Sequence, residues 1–470
     1  MRRGPEGSSQ DRDRPSRGSA FAFLWLSETM FDLGSALMNF ALGVWIFQKS
    51  GSAEQFSGAI VAAALPALLM TPLTGALADR FDRRWVIVGC DIASVLMIGL
   101  LAWLLSHDEL AVRHLYFFNA GSAILVSLRA PAYTAALSVI VPGDQLARVS
   151  GLVGATQRLL QIGAPLLAGY LMGTVGFAGV VVVEVIMAMA GTVAAFVALS
   201  RARHAIRGVV AAGRVALFQA TVSSFSSALR YFREVPLMAG LAAYGVLQDS
   251  LLVLAGALLI PLVLSTHSST ELGTILTCGA SGGLTGSALM VFSPASRRPM
   301  LWMLLGNAGL SLFVLLAGFA KLVVLWCVFA FLAFLCGSAS SVCGRTIWLR
   351  KTPAAMRGSI LALLNSSNLF ATCVVMLVGG RLGQYVFEPA LAVGGAWADT
   401  VGAWVGTGKG RGLGFIFIVC GAAALLVSLL AATHSRFRRL NELILDQPET
   451  PRARGAVFAE SRPDQGELTL

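Results

Sequence analysis

Two carboxylates stand one helical turn apart inside an otherwise apolar stretch: Glu28 and Asp32, within residues 20–47. A spacing of four places them on one face of a helix. An ionisable side chain at the middle of a bilayer costs about 2.5–3.5 kcal/mol on insertion scales, so such a pair needs a reason. Three are open from the residues alone. The pair can bind and release a proton or another cation. It can form a structural pair with Arg129 or Arg158. It can also sit near a helix end and reach the surface.

Other polar side chains interrupt apolar runs in the same way. Arg129 lies in the fourth run, and Arg158 lies in the fifth between Gln157 and Gln161. Those four offer hydrogen-bond donors to a polar or anionic group on a cargo molecule, or else form buried structural pairs. Asp249, beside Gln248, is the acid in the middle of a run in the second half of the chain, and it reads as a coupling or substrate group. Asn365 and Asn368 are neutral cavity candidates. The proton-coupling candidates are therefore Glu28, Asp32 and Asp249. The substrate-cavity candidates are Arg129, Gln157, Arg158, Gln161, Asn365 and Asn368.

The elements that position these residues follow from composition. Charged residues make up 13% of the 470, and hydrophobic residues 56%. Runs of roughly 20 apolar residues are long enough to cross a bilayer as helices. Twelve such runs occur, at about 20–47, 55–78, 85–106, 114–140, 150–175, 178–200, 237–264, 270–293, 299–319, 321–345, 357–378 and 413–434. Backbone groups in lipid must be satisfied internally, so the runs are helices rather than strands. The expectation is an all-α membrane protein with twelve transmembrane helices in two pseudo-symmetric six-helix bundles. Its parts are a disordered tail over 1–19, an N-terminal bundle over 20–200, a linker with an amphipathic helix over 201–236, a C-terminal bundle over 237–434, and a tail over 435–470. Val215, Phe218, Val222, Phe225, Leu229 and Phe232 give the linker its helical periodicity.

The formal net charge of +11 is distributed, not patched. Arginines gather before the first run and in every second gap: Arg80, Arg83 and Arg84; Arg148; Arg201 to Arg233; Arg297 and Arg298; Arg350 and Arg357; Arg436 to Arg439. The positive-inside rule then puts both termini in the cytoplasm, and the pattern speaks for the lipid bilayer as partner and against nucleic acid. All seven cysteines fall inside apolar runs without metal-ligand spacing, so they read as packing residues. No metal site and no cofactor is expected. A gap of about 34 residues, Gly379–Gly412, holds Tyr385, Phe387, Trp397 and Trp404 and reads as an interfacial cap or a gating lid.

Three segments carry a family resemblance. Gly75-Ala76-Leu77-Ala78-Asp79-Arg80-Phe81-Asp82-Arg83-Arg84, between the second and third runs, resembles motif A of the major facilitator superfamily, with Asp82 at the place of its second glycine. Gly163-Ala164-Pro165-Leu166-Leu167-Ala168-Gly169 is similar to the tail of motif C, the glycine-proline signature of facilitator antiporters. Phe40–Ala53 and Arg129-Ala130-Pro131-Ala132-Tyr133 resemble the enterobactin-exporter and macrolide-efflux branch. The resemblance implies an inner-membrane carrier in which Gly75, Asp79, Arg80, Arg83, Arg84 and Asp91 gate one end and Gly163, Pro165 and Gly169 mark an antiporter. It implies proton-coupled export of an amphipathic small molecule, such as a drug, a siderophore or a peptide-like metabolite, by a monomer. A proton-coupled uptake permease uses the same parts, and a non-transporting receptor or scaffold would not need buried acids. An enzyme is not expected: the five histidines lie near helix ends and loops, and no nucleophile elbow occurs. Gly406-Thr407-Gly408-Lys409-Gly410 lacks the spacing of a nucleotide-binding loop.

Overall fold

The computed structural model describes residues 8–80, 82–142, 145–201, 217–292, 298–353, 356–438 and 440–444, with the backbone alone over 8–17, 72–80, 217–224 and 291–292 and at 147, 436, 438, 441 and 442. Among them the chain is helical, without strands. The first six helices are α1 (Ser8–Ser50), α2 (Ala53–Arg80), α3 (Arg83–Ser106), α4 (Val112–Ile140), α5 (Leu146–Thr174) and α6 (Gly176–Arg201). After α7 (Leu217–Glu234) come α8 (Pro236–Leu264), α9 (Ser269–Phe292), α10 (Pro299–Ala317), α11 (Val323–Lys351), α12 (Arg357–Leu382) and α13 (Arg411–Thr433). Ten of these are long and apolar enough to cross a membrane. Helices α5 and α9, of 29 and 24 residues, fall outside that count although the sequence reads them as spans. Ten is thus the number carried by length and composition.

Local chemistry sets the helix ends. Prolines, which lack the N–H that a first turn leaves unpaired anyway, open α8 and α10. The Asp82 carboxylate accepts from the Arg84 N–H and caps α3. Gly51 and Gly176 make the tight reversals after α1 and α5 at φ +62° and +69°, a region that costs an L side chain. Consecutive long helices run antiparallel. One end of the molecule therefore holds the described start of α1 and the α6–α7–α8 crossover, and is called the tail end below. The other holds the α1–α2, α5–α6 and α8–α9 reversals, and is called the turn end. Leucines, valines and phenylalanines such as Leu96, Phe117, Phe196, Leu305 and Val324 point outward and are exposed, as lipid-facing side chains are.

Small residues set the helix crossings, since apolar burial alone does not drive helices together in lipid. A β-carbon on Gly282 of α9 would collide with the Phe331 carbonyl oxygen of α11. One on Gly421 of α13 would stand 2.5 Å from Leu315 N of α10. Gly282→Leu should lower the stability of the detergent-solubilised protein by at least the ~1–3 kcal/mol typical of overpacking, read as an earlier thermal unfolding midpoint. An unshifted midpoint would mean that the α9–α11 crossing tolerates separation.

Two regions differ from the sequence expectation, and two others take definite form. Helix α1 begins at Ser8, so residues 8–19 continue a helix that the apolar run has already nucleated, rather than forming a disordered tail. Beyond α13, Ser435–Arg438 and Leu440–Leu443 fold back: Leu440 is fully buried, and the Phe437 ring lies 6.3 Å from that of Tyr244. Residues 445–470 lie outside the described residues. In the long gap, α12 runs on to Leu382 into a π-helical turn, Gly383–Phe387. Phe387, Trp397 and Phe415 then pack with centroids 5.4–5.9 Å apart, which makes the segment a folded cap. In that cap Trp404 is exposed. The linker helix α7 packs down as well: the Tyr231 hydroxyl donates to the Lys351 carbonyl at the end of α11, 3.2 Å away.

Candidate functional site

Arg129 organises the first six helices. It is 2% exposed, on α4, two residues before the proline inside that helix, Pro131. Each of its three nitrogens makes a hydrogen bond. Nε donates to Asp91 Oδ1 on α3 at 2.7 Å, Nη1 donates to Glu28 Oε2 on α1, and Nη2 reaches Ser27 Oγ at 3.3 Å. The Phe31 ring lies 4.2 Å from the guanidinium carbon and covers its face. One cation thus faces two carboxylates, so this trio holds one acid more than base. Asp91 Oδ2 is buried without a partner among the described residues. It borders a cavity of about 10 Å³, also lined by Ser27, Ser94 and Thr192, with room for about one water.

The Glu28–Asp32 pair divides between two environments. Glu28 joins the Arg129 cluster. Asp32, one turn on, is half-buried, and its Oδ2 accepts from Gln157 Nε2 of α5 at 3.5 Å. On α5, Arg158 donates to Gln161 Oε1 at 3.2 Å, and both side chains are exposed. In the last six helices, exposed Asp249 on α8 accepts from Asn368 Nδ2 of α12 at 3.3 Å. Asn365 is exposed on the same helix.

The two helix groups meet toward the turn end. There α5 and α9 cross in backbone contact: a β-carbon on Gly169 would stand 2.7 Å from Ser269 O and 3.0 Å from Gly273 Cα. One on Gly273 would stand 2.6 Å from the Pro165 carbonyl. Thr277 donates to the Ile162 carbonyl of α5 at 3.1 Å. At the same end, Glu54 at the start of α2 accepts from Arg381 (3.0 Å) and Tyr385 (2.9 Å), and Gln384 accepts from the Ala53 N–H. Of the motif C residues, Pro165 and Gly169 therefore lie on the seam between the groups, whereas Gly163 has open space around it.

The motif A residues sit at the opposite end. Gly75, Asp79 and Arg80 are on the last turns of α2, where side chains lie outside the described residues. Arg83 donates to the Ala135 carbonyl of α4, and Arg84 pairs with Asp82 at 2.7 Å. Asp91 is joined to Arg129 rather than to the loop arginines.

Sequence reasoning missed a second polar core. In the last six helices Gln248 Nε2 donates to Ser311, Asn307 Nδ2 to the Tyr244 hydroxyl, and Ser340 Oγ to Asn307 Oδ1. It ties α8, α10 and α11, the counterparts of α1, α3 and α4, without a charge. The signal was present as lone polar residues in the middle of apolar runs, but uncharged side chains draw less notice than charged ones. The seam residues Glu54, Arg381 and Gln384 were missed because helix-end charges look like ordinary surface.

Comparison with known proteins fits this architecture. The sequence profile of the Major Facilitator Superfamily matches residues 24–376. Macrolide efflux protein A of Streptococcus pyogenes is 24% identical over 173 residues, 37% of this chain and 43% of that protein. The multidrug efflux pump Tap of Mycobacterium bovis is 27% identical over 282 residues, 58% of this chain and 65% of Tap. The chain thus spans less than two thirds of either relative. A bacterial homologue of the human lysosomal transporter Spinster, solved in an inward-facing and unoccupied conformation, superposes with a TM-score of 0.63 at 18% identity, covering 91% of this chain and 97% of that one. The xylose transporter XylE from E. coli, in an inward-open conformation, gives 0.59 at 13% identity, covering 91% and 100%. With the profile covering most of its length, this chain is a multi-pass membrane protein of the major facilitator superfamily, a family of transporters rather than enzymes.

Proposed function

We propose that the protein is a proton-coupled exporter of an amphipathic small molecule, working by alternating access. One observation carries this reading. The two helix groups are fastened at the turn end through Gly169–Gly273 and Glu54–Arg381, while polar side chains deeper in the spans, Gln157, Arg158 and Asp249, remain exposed. A cavity closed at one end and open at the other is one of the two states that such a carrier alternates between. Arginine-rich gaps place the tail end in the cytoplasm, so this state faces inward, ready to load. The efflux activity named for both relatives supports the outward direction. Both termini lie in the cytoplasm, and the membrane is the bacterial inner membrane.

The Glu28–Arg129–Asp91 cluster supplies the coupling chemistry. Two carboxylates around one guanidinium can take up one proton and become neutral, and lose it again when water reaches the cluster. The one-water cavity beside Asp91 offers a place for a water that could pass the proton to this carboxylate. The helices that carry the cluster also carry the Asp32 wall, so a change at Arg129 moves the wall. The test is accumulation of ethidium and Hoechst 33342 by cells with and without the protein. The expected result is lower accumulation with the protein, erased by an uncoupler. A difference that survives the uncoupler would sink the proton drive. Within this reading, Asp91→Asn removes the excess charge. It should abolish uphill transport while leaving substrate exchange across proteoliposomes near the wild-type rate. Loss of both would make Asp91 a structural residue.

A further inference from the structure

The cavity wall carries the same chemical couple twice, once in each helix group. Asp32 stands on α1, the first helix of its group, and bonds to an amide on the fifth helix, Gln157 of α5. Asp249 stands on α8, the first helix of the second group, and bonds to an amide on the fifth helix there, Asn368 of α12. Gln157 and Asn368 each lie eleven residues after the first residue of their helix (157 − 146 and 368 − 357).

The two couples face one another. Helices α1 and α8 meet near the turn end, where a β-carbon on Gly43 would stand 3.5 Å from Ile260 Cδ1. Asp32 is eleven residues from Gly43 toward the tail end, and Asp249 is eleven residues from Ile260 in the same direction (43 − 32 and 260 − 249). Eleven residues are about three turns, so each aspartate returns to the face that makes the contact, about 16 Å along its helix. Equal depth and facing sides put the carboxylates on opposite walls of the space that opens below the seam.

What the couples present is also alike. One N–H of each amide is given to the carboxylate, the orientation that avoids setting oxygen against oxygen. Each couple is then left with carboxylate and amide oxygens that accept, beside one remaining amide N–H. Asn368 Oδ1 is buried without a partner among the described residues, an acceptor still to be satisfied. Exposed arginines also lie within the spans: Arg158, eleven residues from Gly169 on α5 (169 − 158), faces α9 and not the α1–α8 gap, and Arg345 on α11 lies six residues from the last residue of its helix (351 − 345), nearer the tail end than Asp249. Glu28 and Asp91 are occupied by Arg129.

We propose that these two couples form a two-seat site for an organic dication, one positive end held by Asp32 and Gln157 and the other by Asp249 and Asn368. A ligand that spans both walls links the helix groups, and it favours their approach at the tail end, the movement that would carry it outward. The site deepens the export reading above and rests on it for the identity of the cavity, but its test does not require transport.

The test is equilibrium binding to purified protein in detergent, followed by fluorescence, of two dyes sharing one ring system: ethidium, with one positive charge, and propidium, with two. The wild type should bind propidium about tenfold more tightly than ethidium, the scale of one added charge-assisted contact. Asp32→Asn and Asp249→Asn, each checked for a single symmetric gel-filtration peak, should each bring propidium down to the ethidium level. Equal affinities in the wild type overturn the proposal without recourse to any variant. So does the absence of propidium binding, or a loss confined to one of the two variants. If the dye result holds while the uncoupler leaves accumulation unchanged, the site stands and the proton drive falls; the reverse outcome separates them the other way.

Discussion

Arg129→Met is expected to leave a protein that barely accumulates in the membrane and transports nothing. The side chain is 2% exposed, and it pairs with both Glu28 and Asp91, joining three helices. Removing it strands two carboxylates in a low-dielectric interior. Breaking a buried ion pair from one side costs about 3–5 kcal/mol, because the partner is left charged and desolvated. That is a large part of the net stability of an ordinary domain. A lysine in its place keeps the charge but not the fork: it cannot donate in one plane to Asp91, Glu28 and Ser27 together. Arg129→Lys should therefore recover folding in part. The sharper comparison is the triple variant Glu28→Gln, Asp91→Asn, Arg129→Met. It strands no charge and resembles the uncharged Gln248–Ser311 and Tyr244–Asn307 core of the other helix group. It should recover accumulation and thermal stability yet show no proton-driven transport. A stable single variant would mean that water reaches the cluster freely. Proton-driven transport in the triple variant would place the coupling elsewhere.

The contrast between these two cores shows what a sequence can and cannot reveal. The helices were legible because each apolar run is a physical requirement of crossing lipid, and their ends followed from prolines, glycines and arginine-rich gaps. Arg129, Glu28, Asp32 and Asp249 were legible for the same reason: a charge within an apolar run is expensive, so it stands out. What those charges touch was not legible. Glu28 and Asp32 share a helix face, and nothing local says that one turns to Arg129 and the other to Gln157. Asp91 follows Arg84 by two turns, and proximity along the helix favours the loop arginines. The competing partner, Arg129, sits on another helix, and only packing brings it there. The seam was hidden more deeply. Glycine marks close approach somewhere, but Gly163 and Gly169 are alike on paper, and only Gly169 meets a neighbouring helix.

That difference makes Gly169→Leu a decisive change. A leucine here would occupy the space of the Ser269 carbonyl and the Gly273 Cα, neither of which can move aside as a side chain would. Overpacking costs about 1–3 kcal/mol, and it falls only on the state in which α5 and α9 touch at this point. The state with the turn end open escapes it, so the equilibrium between the two should shift by about 5- to 150-fold. The carrier would then rest with its turn end open, and transport should fall by a similar factor, with folding largely kept. Ser57 of α2, 2% exposed and within the same seam beside Gly380, is the place to read the shift. In a background without the seven native cysteines, Ser57→Cys should resist a membrane-impermeant maleimide applied from the turn-end side and become labelled once Gly169→Leu is added. Gly163→Leu is the internal control, because open space surrounds that position and the turn end should stay shut. Were Gly169→Leu to transport normally with Ser57→Cys still protected, the glycine seam would not be the gate. The closed end would then have to be held by the Glu54–Arg381–Tyr385 cluster alone.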